Sequence, residues 1–133
     1  MLCLAGGSGL APIMAILQQA RAMGATRPVT LLYGARTRQH LYCLEEIEAL
    51  RAAWKAPFEF VPVLSEEDVD SAWAGARGLV TEPIARLPDQ ARSEAYLCGP
   101  PAMIDAAEAQ LMQHGVLPGL IAADRFLDKS TVR

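Results

Sequence analysis

The sequence predicts an α/β domain: a doubly wound, parallel, five-stranded sheet with helices on both faces. Three observations carry that expectation. Short apolar runs alternate with stretches whose apolar residues recur at helical spacing along nearly all of the 133 residues, as expected for strand–helix–strand units building a covered parallel sheet. Two strand-to-helix junctions are rich in glycine and proline, Gly6-Gly7-Ser8-Gly9-Leu10-Ala11-Pro12 and Cys98-Gly99-Pro100-Pro101-Ala102-Met103. No internal repeat, low-complexity segment or long linker divides the chain.

The elements follow in order. Met1-Leu2-Cys3-Leu4-Ala5 is apolar throughout and reads as a strand buried on both faces. Leu10, Ile13, Met14 and Leu17 then mark one helical face, closed by Gly24 with Pro28 soon after. Val29 to Tyr33 is a second apolar strand ending at Gly34. A second helix runs through Leu44, Ile47, Leu50 and Trp54 and is stopped by Pro57. Phe58 to Val63 is a third strand, and Pro62 places it near an edge. Ser65 to Gly78 reads as a polar loop or short helix, with Ser65 and Asp68 spaced for a capping box. A short helix is expected from Thr81 to Leu87, and Tyr96-Leu97-Cys98 forms a fourth strand. Pro101 opens a helix carrying Met103, Ile104, Ala107 and Leu111 that ends at Gly115. Leu120 to Ala123 is the fifth strand, and residues 127–133 form a tail beyond a domain of residues 1–126.

Composition narrows the class of function. Half of the chain is apolar (52%), a fifth is charged (20%) and the net charge is −3. These values suit a soluble domain and argue against nucleic acid as a partner, since Arg36 and Arg38 are the nearest approach to a basic cluster. Cys3, Cys43 and Cys98 lie far apart without a C-x-x-C pair, so no metal site is expected and a reducing cytoplasm is. Met1 to Ala20 is uncharged, but Gly6, Gly7, Gly9 and Pro12 interrupt it, and a buried strand, turn and helix explain it better than a membrane or export segment.

The two junctions carry the chemistry. Gly7-Ser8-Gly9 supplies the first two glycines of a G-x-G-x-x-G fingerprint, and Pro12 stands where the third would be. Glycine allows a tight turn and close approach of a pyrophosphate to backbone. The acidic residue expected to hold a ribose at the end of the second strand is replaced by Tyr33-Gly34-Ala35-Arg36. In a doubly wound sheet, ligands sit where the strand order reverses, beyond the carboxyl ends of the strands. If the first and fourth strands flank that reversal, both junctions and two helix N-termini face one crevice.

The motifs together resemble the nicotinamide-dinucleotide-binding domain of the ferredoxin–NADP reductase superfamily. Gly6-Gly7-Ser8-Gly9-Leu10-Ala11-Pro12 is similar to its G-G-T/S-G-x-A-P motif, and Tyr33-Gly34-Ala35-Arg36 with Leu41-Tyr42 and Glu45-Glu46 to its second nucleotide motif. Trp73 to Val80 resembles a W-x-G-x-x-G-x-V segment of oxygenase reductases. Tyr96 to Met103 matches Y-x-C-G-P-P-x-M closely, and Asp124-Arg125-Phe126 sits where that family has an acidic residue, a spacer and an aromatic. The likeness is strongest to reductase components of bacterial mono- and dioxygenases. It implies an FAD-binding domain in cis upstream, a [2Fe–2S] domain in many members, and a ferredoxin or oxygenase component as electron acceptor. It also implies that this chain is a C-terminal piece of a larger reductase. A flavohaemoglobin or dihydroorotate dehydrogenase type of reductase domain, and a non-redox nucleotide-binding module, are the rival readings.

The resemblance implies roles for single residues. Gly7, Ser8, Gly9 and Pro12 would form the pyrophosphate loop, with the Ser8 hydroxyl donating a bond or capping a helix. Cys98 would lie beside the nicotinamide, with Gly99 and Pro100 shaping its slot. Gly34, Arg36 and Arg38 would serve the adenosine end, where a guanidinium binds a 2′-phosphate of NADPH or stacks on the adenine of NADH. Asp124 would border the hydride path and Phe126 would close over the flavin. Tyr42 and Glu45 are candidates for the border of the adenosine pocket. His40 and His114 read as surface residues, Met103 as core, and the Glu66-Glu67-Asp68 run with Asp70 as a solvated loop.

Overall fold

The computed structural model describes residues 1–87 and 93–126, so the 127–133 tail lies outside the described residues. The elements are β1 (Leu2–Gly6), α1 (Leu10–Ala22), β2 (Val29–Ala35), α2 (Leu44–Ala53), β3 (Phe58–Leu64), β4 (Ala76–Arg77), β5 (Ala95–Gly99), α3 (Pro101–Gln113) and β6 (Ile121–Arg125). All pair in parallel, in the order β4-β3-β2-β1-β5-β6. The chain steps outward from β1 to β2 and β3, then returns to lay β5 on the other side of β1. The order therefore reverses between β1 and β5, which pair from Leu2↔Ala95 to Ala5↔Cys98.

Alternation along each strand splits the core into two layers. Cys3, Ala5, Leu31, Tyr33 and Cys98 face α1 and α2, where Leu10, Ile13, Leu17, Ile47, Leu50 and Trp54 cover them. Leu2, Leu4, Leu32, Val63, Ala95 and Leu97 face the opposite way, beneath Ile104, Ala107 and Leu111 of α3 and Val80 and Ile84. Helices thus cover both faces, as the apolar runs require.

The sheet has six strands rather than five. The additional β4 is two residues long and pairs only with Val63 and Leu64, too short to leave a periodic signal. Pro62, which has no N–H to give, stands one residue before that outer coverage begins, so the edge expectation holds for most of β3. The Ser65–Asp68 capping box does not form. Asp68 instead accepts from the Asp70 and Ser71 N–H groups in a turn. The 65–78 loop folds around Arg77, whose guanidinium donates to the carbonyls of Glu67, Asp68 and Trp73 and to the Ser71 hydroxyl. The short helix near Thr81 is a 3-10 turn over Glu82–Arg86. No helix among the described residues is long and apolar enough to cross a membrane.

Candidate functional site

The carboxyl ends of β1, β2, β3 and β5 open into one cleft of about 530 Å³. Its walls are Gly6, Gly7 and Ser8 after β1, Gly34, Ala35 and Arg36 after β2, and Pro100 and Met103 after β5. Val63, Ser65, Gly78, Leu79 and Val80 close it from the far side, and His40 and Tyr42 from the loop before α2.

Glycine serves different ends at different wall positions. Gly7 has φ +56°, and a Cβ there would meet nothing within 4 Å, so its missing side chain leaves open space at the cleft. Gly9 is buried, and a Cβ on it would lie 2.2 Å from the Cys98 carbonyl oxygen and 2.6 Å from its carbon. Gly9 therefore lets the start of α1 press against the end of β5. Gly34 makes room for Val80, whose Cβ stands 2.7 Å from where a Gly34 Cβ would be.

The charge pattern around the cleft is lopsided. α1 and α3 both begin at its rim, and neither has a side-chain cap or an acidic residue in its first turn. α2, which begins two residues after the cleft-lining Tyr42, differs in carrying Glu45 and Glu46 in its first turn. A helix N-terminus is the positive end of the peptide dipoles and exposes donors without intrahelical partners. Two such ends without acidic residues, beside glycines that admit close approach, favour a bound anion of pyrophosphate size. Arg36 is exposed on the same wall and has no ion pair among the described residues.

The predicted residues do not all share one place. Gly7, Ser8, Gly34, Arg36 and Pro100 line the cleft. Gly9 and Gly99 lie buried beneath it, Gly99 at φ +157° with the Gly6 backbone nitrogen and oxygen each 3.3 Å from where its Cβ would be. Pro12 is half-buried inside the first turns of α1, and neither it nor Gly9 nor Gly99 is in the lining. Arg38 belongs to a neighbouring hollow with Thr37, Gln39, Glu66, Glu67 and Asp68, and its backbone N–H donates to the Glu67 carboxylate at 3.0 Å. No cluster of potential metal ligands occurs among the described residues.

Cys98, Asp124 and Phe126 come together beside the cleft. Cys98 is buried toward α1, and Asp124 stands opposite it in the β5–β6 ladder. The Phe126 N–H donates to the Gly99 carbonyl at 2.8 Å, and its half-buried ring packs against the α1-side core. Burial, then the Asp124 carboxylate, raise the Cys98 thiol above its ordinary pKa, so it stays a neutral packing group. Arg125 points to the other face and pairs with Asp105 and Glu108 of α3, which ties β6 down.

Four expectations are refined or changed. His40 is exposed but lines the cleft, with its Nδ1 2.8 Å from the Thr37 hydroxyl. Met103 is both half-buried core and cleft wall. Ser8 provides no helix cap, and Glu45 is not in the lining. The far wall from Val63 to Val80 was not foreseen, although the W-x-G-x-x-G-x-V segment holds its Gly78, Leu79 and Val80.

The chain is similar in sequence and fold to known proteins. Residues 3–109 match the oxidoreductase NAD-binding domain family. The xylene/toluene monooxygenase electron transfer component of Pseudomonas putida is 50% identical over 129 residues, 97% of this chain and 37% of that protein. The ferredoxin–NAD(P)+ reductase component of naphthalene 1,2-dioxygenase/salicylate 5-hydroxylase systems from a Ralstonia species is 41% identical over 95% of this chain and 38% of its own length. Among solved structures, a cytochrome P450 reductase of Amycolatopsis superposes with a TM-score of 0.84 at 32% identity, covering 95% of this chain and 37% of that one. The chain thus spans a little over a third of the length of these relatives.

Proposed function

The chain belongs to the oxidoreductase NAD-binding domain family, and from that premise we propose that it is the NAD(P)H-binding part of an FAD-dependent reductase. That reductase passes electrons from NAD(P)H through FAD to an iron–sulfur centre or an oxygenase component. The observation that carries the proposal is the cleft at the reversal between β1 and β5, where two uncapped helix starts without acidic residues flank a glycine-walled opening. The residues fit the nucleotide: Val63, Leu79, Val80 and Met103 give the opening apolar surface for a flat ring, and Ser8 and Arg36 add polar groups on the glycine walls.

The chain's own residues bind and orient. Gly7 and Ser8 offer backbone to the pyrophosphate, and Pro100 sets the wall toward Cys98, with the buried Gly99 between them. Arg36 and Gly34, with Arg38 at greater remove, serve the adenosine end. Cys98, neutral and small, packs beside the nicotinamide without blocking it, while Asp124 and Phe126 edge the same slot. When bound, the reduced nicotinamide supplies a hydride. An FAD-binding domain in cis then contributes the acceptor, with a ferredoxin or oxygenase component beyond it, in the cytoplasm.

Rapid mixing of the intact protein with NADH and with NADPH, read by loss of flavin absorbance without oxygen, tests this. Reduction that saturates with nucleotide is expected. A protein that carries no flavin, or a flavin that neither nucleotide reduces, rules the proposal out.

A further inference from the structure

Tyr42 lines the cleft, where its part in the second nucleotide motif leads one to expect it, but its hydroxyl is turned to the other junction. It reaches from the loop before α2 to the first turn, where its phenol O–H donates to the Gly7 carbonyl at 3.0 Å across 35 residues of sequence. Its backbone N–H donates to the hydroxyl of the buried Tyr33 at 3.2 Å, and the two rings meet edge to face at 6.0 Å. Tyr33 thus holds both the backbone and the ring of Tyr42. The Leu10 N–H bonds the same Gly7 carbonyl. Burial, then the neighbouring Cys43, raise the Tyr42 phenol above its ordinary pKa, so the hydroxyl keeps the proton it donates to Gly7.

The consequence follows from peptide geometry. A trans peptide sends its C=O and N–H in opposite directions. Gly7 is in the left-handed region and a Cβ there would meet nothing within 4 Å, so no side chain of its own packs to orient the Gly7–Ser8 peptide, which opens the 3-10 turn Gly7–Gly9. The Tyr42 hydroxyl, with Leu10, supplies the restraint. With the Gly7 carbonyl drawn to Tyr42, the Ser8 N–H is turned away from it, and no carbonyl lone pair is left to face an anion.

We propose that Tyr42 is a positioning residue of the dinucleotide site, holding the Gly7–Ser8 peptide so that its N–H, not its carbonyl, meets the pyrophosphate. This rests on the nucleotide-binding function proposed above. Tyr42 acts on the phosphates through the loop, so its effect is the same for every ligand that carries the pyrophosphate and absent for ligands that lack it.

The test is Tyr42→Phe in the intact protein, which removes the hydroxyl and keeps the ring on Tyr33. NADH, ADP-ribose and adenosine are titrated in turn, and the saturated rate of flavin reduction is measured. Loss of one hydrogen bond is expected to weaken NADH and ADP-ribose alike, by about five- to tenfold, to leave adenosine unchanged, and to raise KM without lowering the saturated rate. Equal affinities in wild type and variant, or a loss confined to NADH, overturn the role of Tyr42 while leaving the function standing. Wild-type protein that binds neither NADH nor ADP-ribose overturns both.

Discussion

Replacing Gly9 by alanine separates two roles that look alike in the Gly7-Ser8-Gly9 sequence. A methyl at Gly9 would sit 2.2 Å from the Cys98 oxygen, and side-chain carbons do not approach backbone closer than 3.0 Å. The start of α1 and the end of β5 must therefore part by about 0.8 Å. Neither can yield cheaply, because Cys98 is hydrogen-bonded into the ladder between β1 and β6. Overpacking of this kind costs about 1–3 kcal/mol, and backbone on both sides puts Gly9→Ala at or above the upper end. Gly7→Ala meets no atom within 4 Å and bears only the left-handed backbone penalty, about 1–2 kcal/mol. Urea denaturation of both variants, each followed by nucleotide titration, makes the comparison. Gly9→Ala should lose more stability, and Gly7→Ala more affinity per unit of stability lost, since Gly7 lines the cleft and Gly9 does not. A Gly9→Ala protein as stable as wild type refutes the steric reasoning.

Three further outcomes are expected. Burial lifts the Cys3 thiol from an ordinary 9.0 to about 12 and the Tyr33 phenol from 10.0 to about 12. The unfolded chain therefore gives up these protons first, so the stability these two groups contribute is level below pH 9 and falls between pH 9 and 12. Urea midpoints against pH measure this, and Cys3→Ala should flatten the fall. Gly34→Ala should destabilise by about 1–3 kcal/mol through its clash with Val80, and Val80→Ala should recover part of the loss in a double-mutant cycle; strict additivity would show that the two do not touch. Arg36→Ala should weaken NADPH more than NADH, and an equal loss measured by calorimetry would remove a 2′-phosphate role for this guanidinium.

The layered sheet was legible because its strands are apolar on both faces: Leu2, Cys3, Leu4, Leu31 and Leu32 are fully or almost fully buried whichever way they point. Their helices show complementary spacing. The juxtaposition of the two junctions was legible as well, since it follows from where a doubly wound sheet must reverse. The 65–78 loop was not. Its order comes from one arginine bonding several carbonyls, which leaves no periodic trace. Local sequence likewise cannot distinguish Gly7, open to the cleft, from Gly9, pressed on a strand, because the difference lies in what β5 brings against them. Arg36 and Arg38 are equal as sequence, yet only the first reaches the cleft. Val63, Leu79 and Val80 become walls through tertiary placement alone.

The central claim is that the ends of β1 and β5 jointly hold the dinucleotide, and mapping backbone amide resonances while NADH is added tests it most directly. The largest changes should fall together on Gly7, Ser8, Ala35 and Ala102, flanking the cleft from both sides of the reversal. Changes centred instead on the hollow formed by Arg21, Ala25, Trp54 and Lys55 at a separate site, or on one junction without the other, would contradict it.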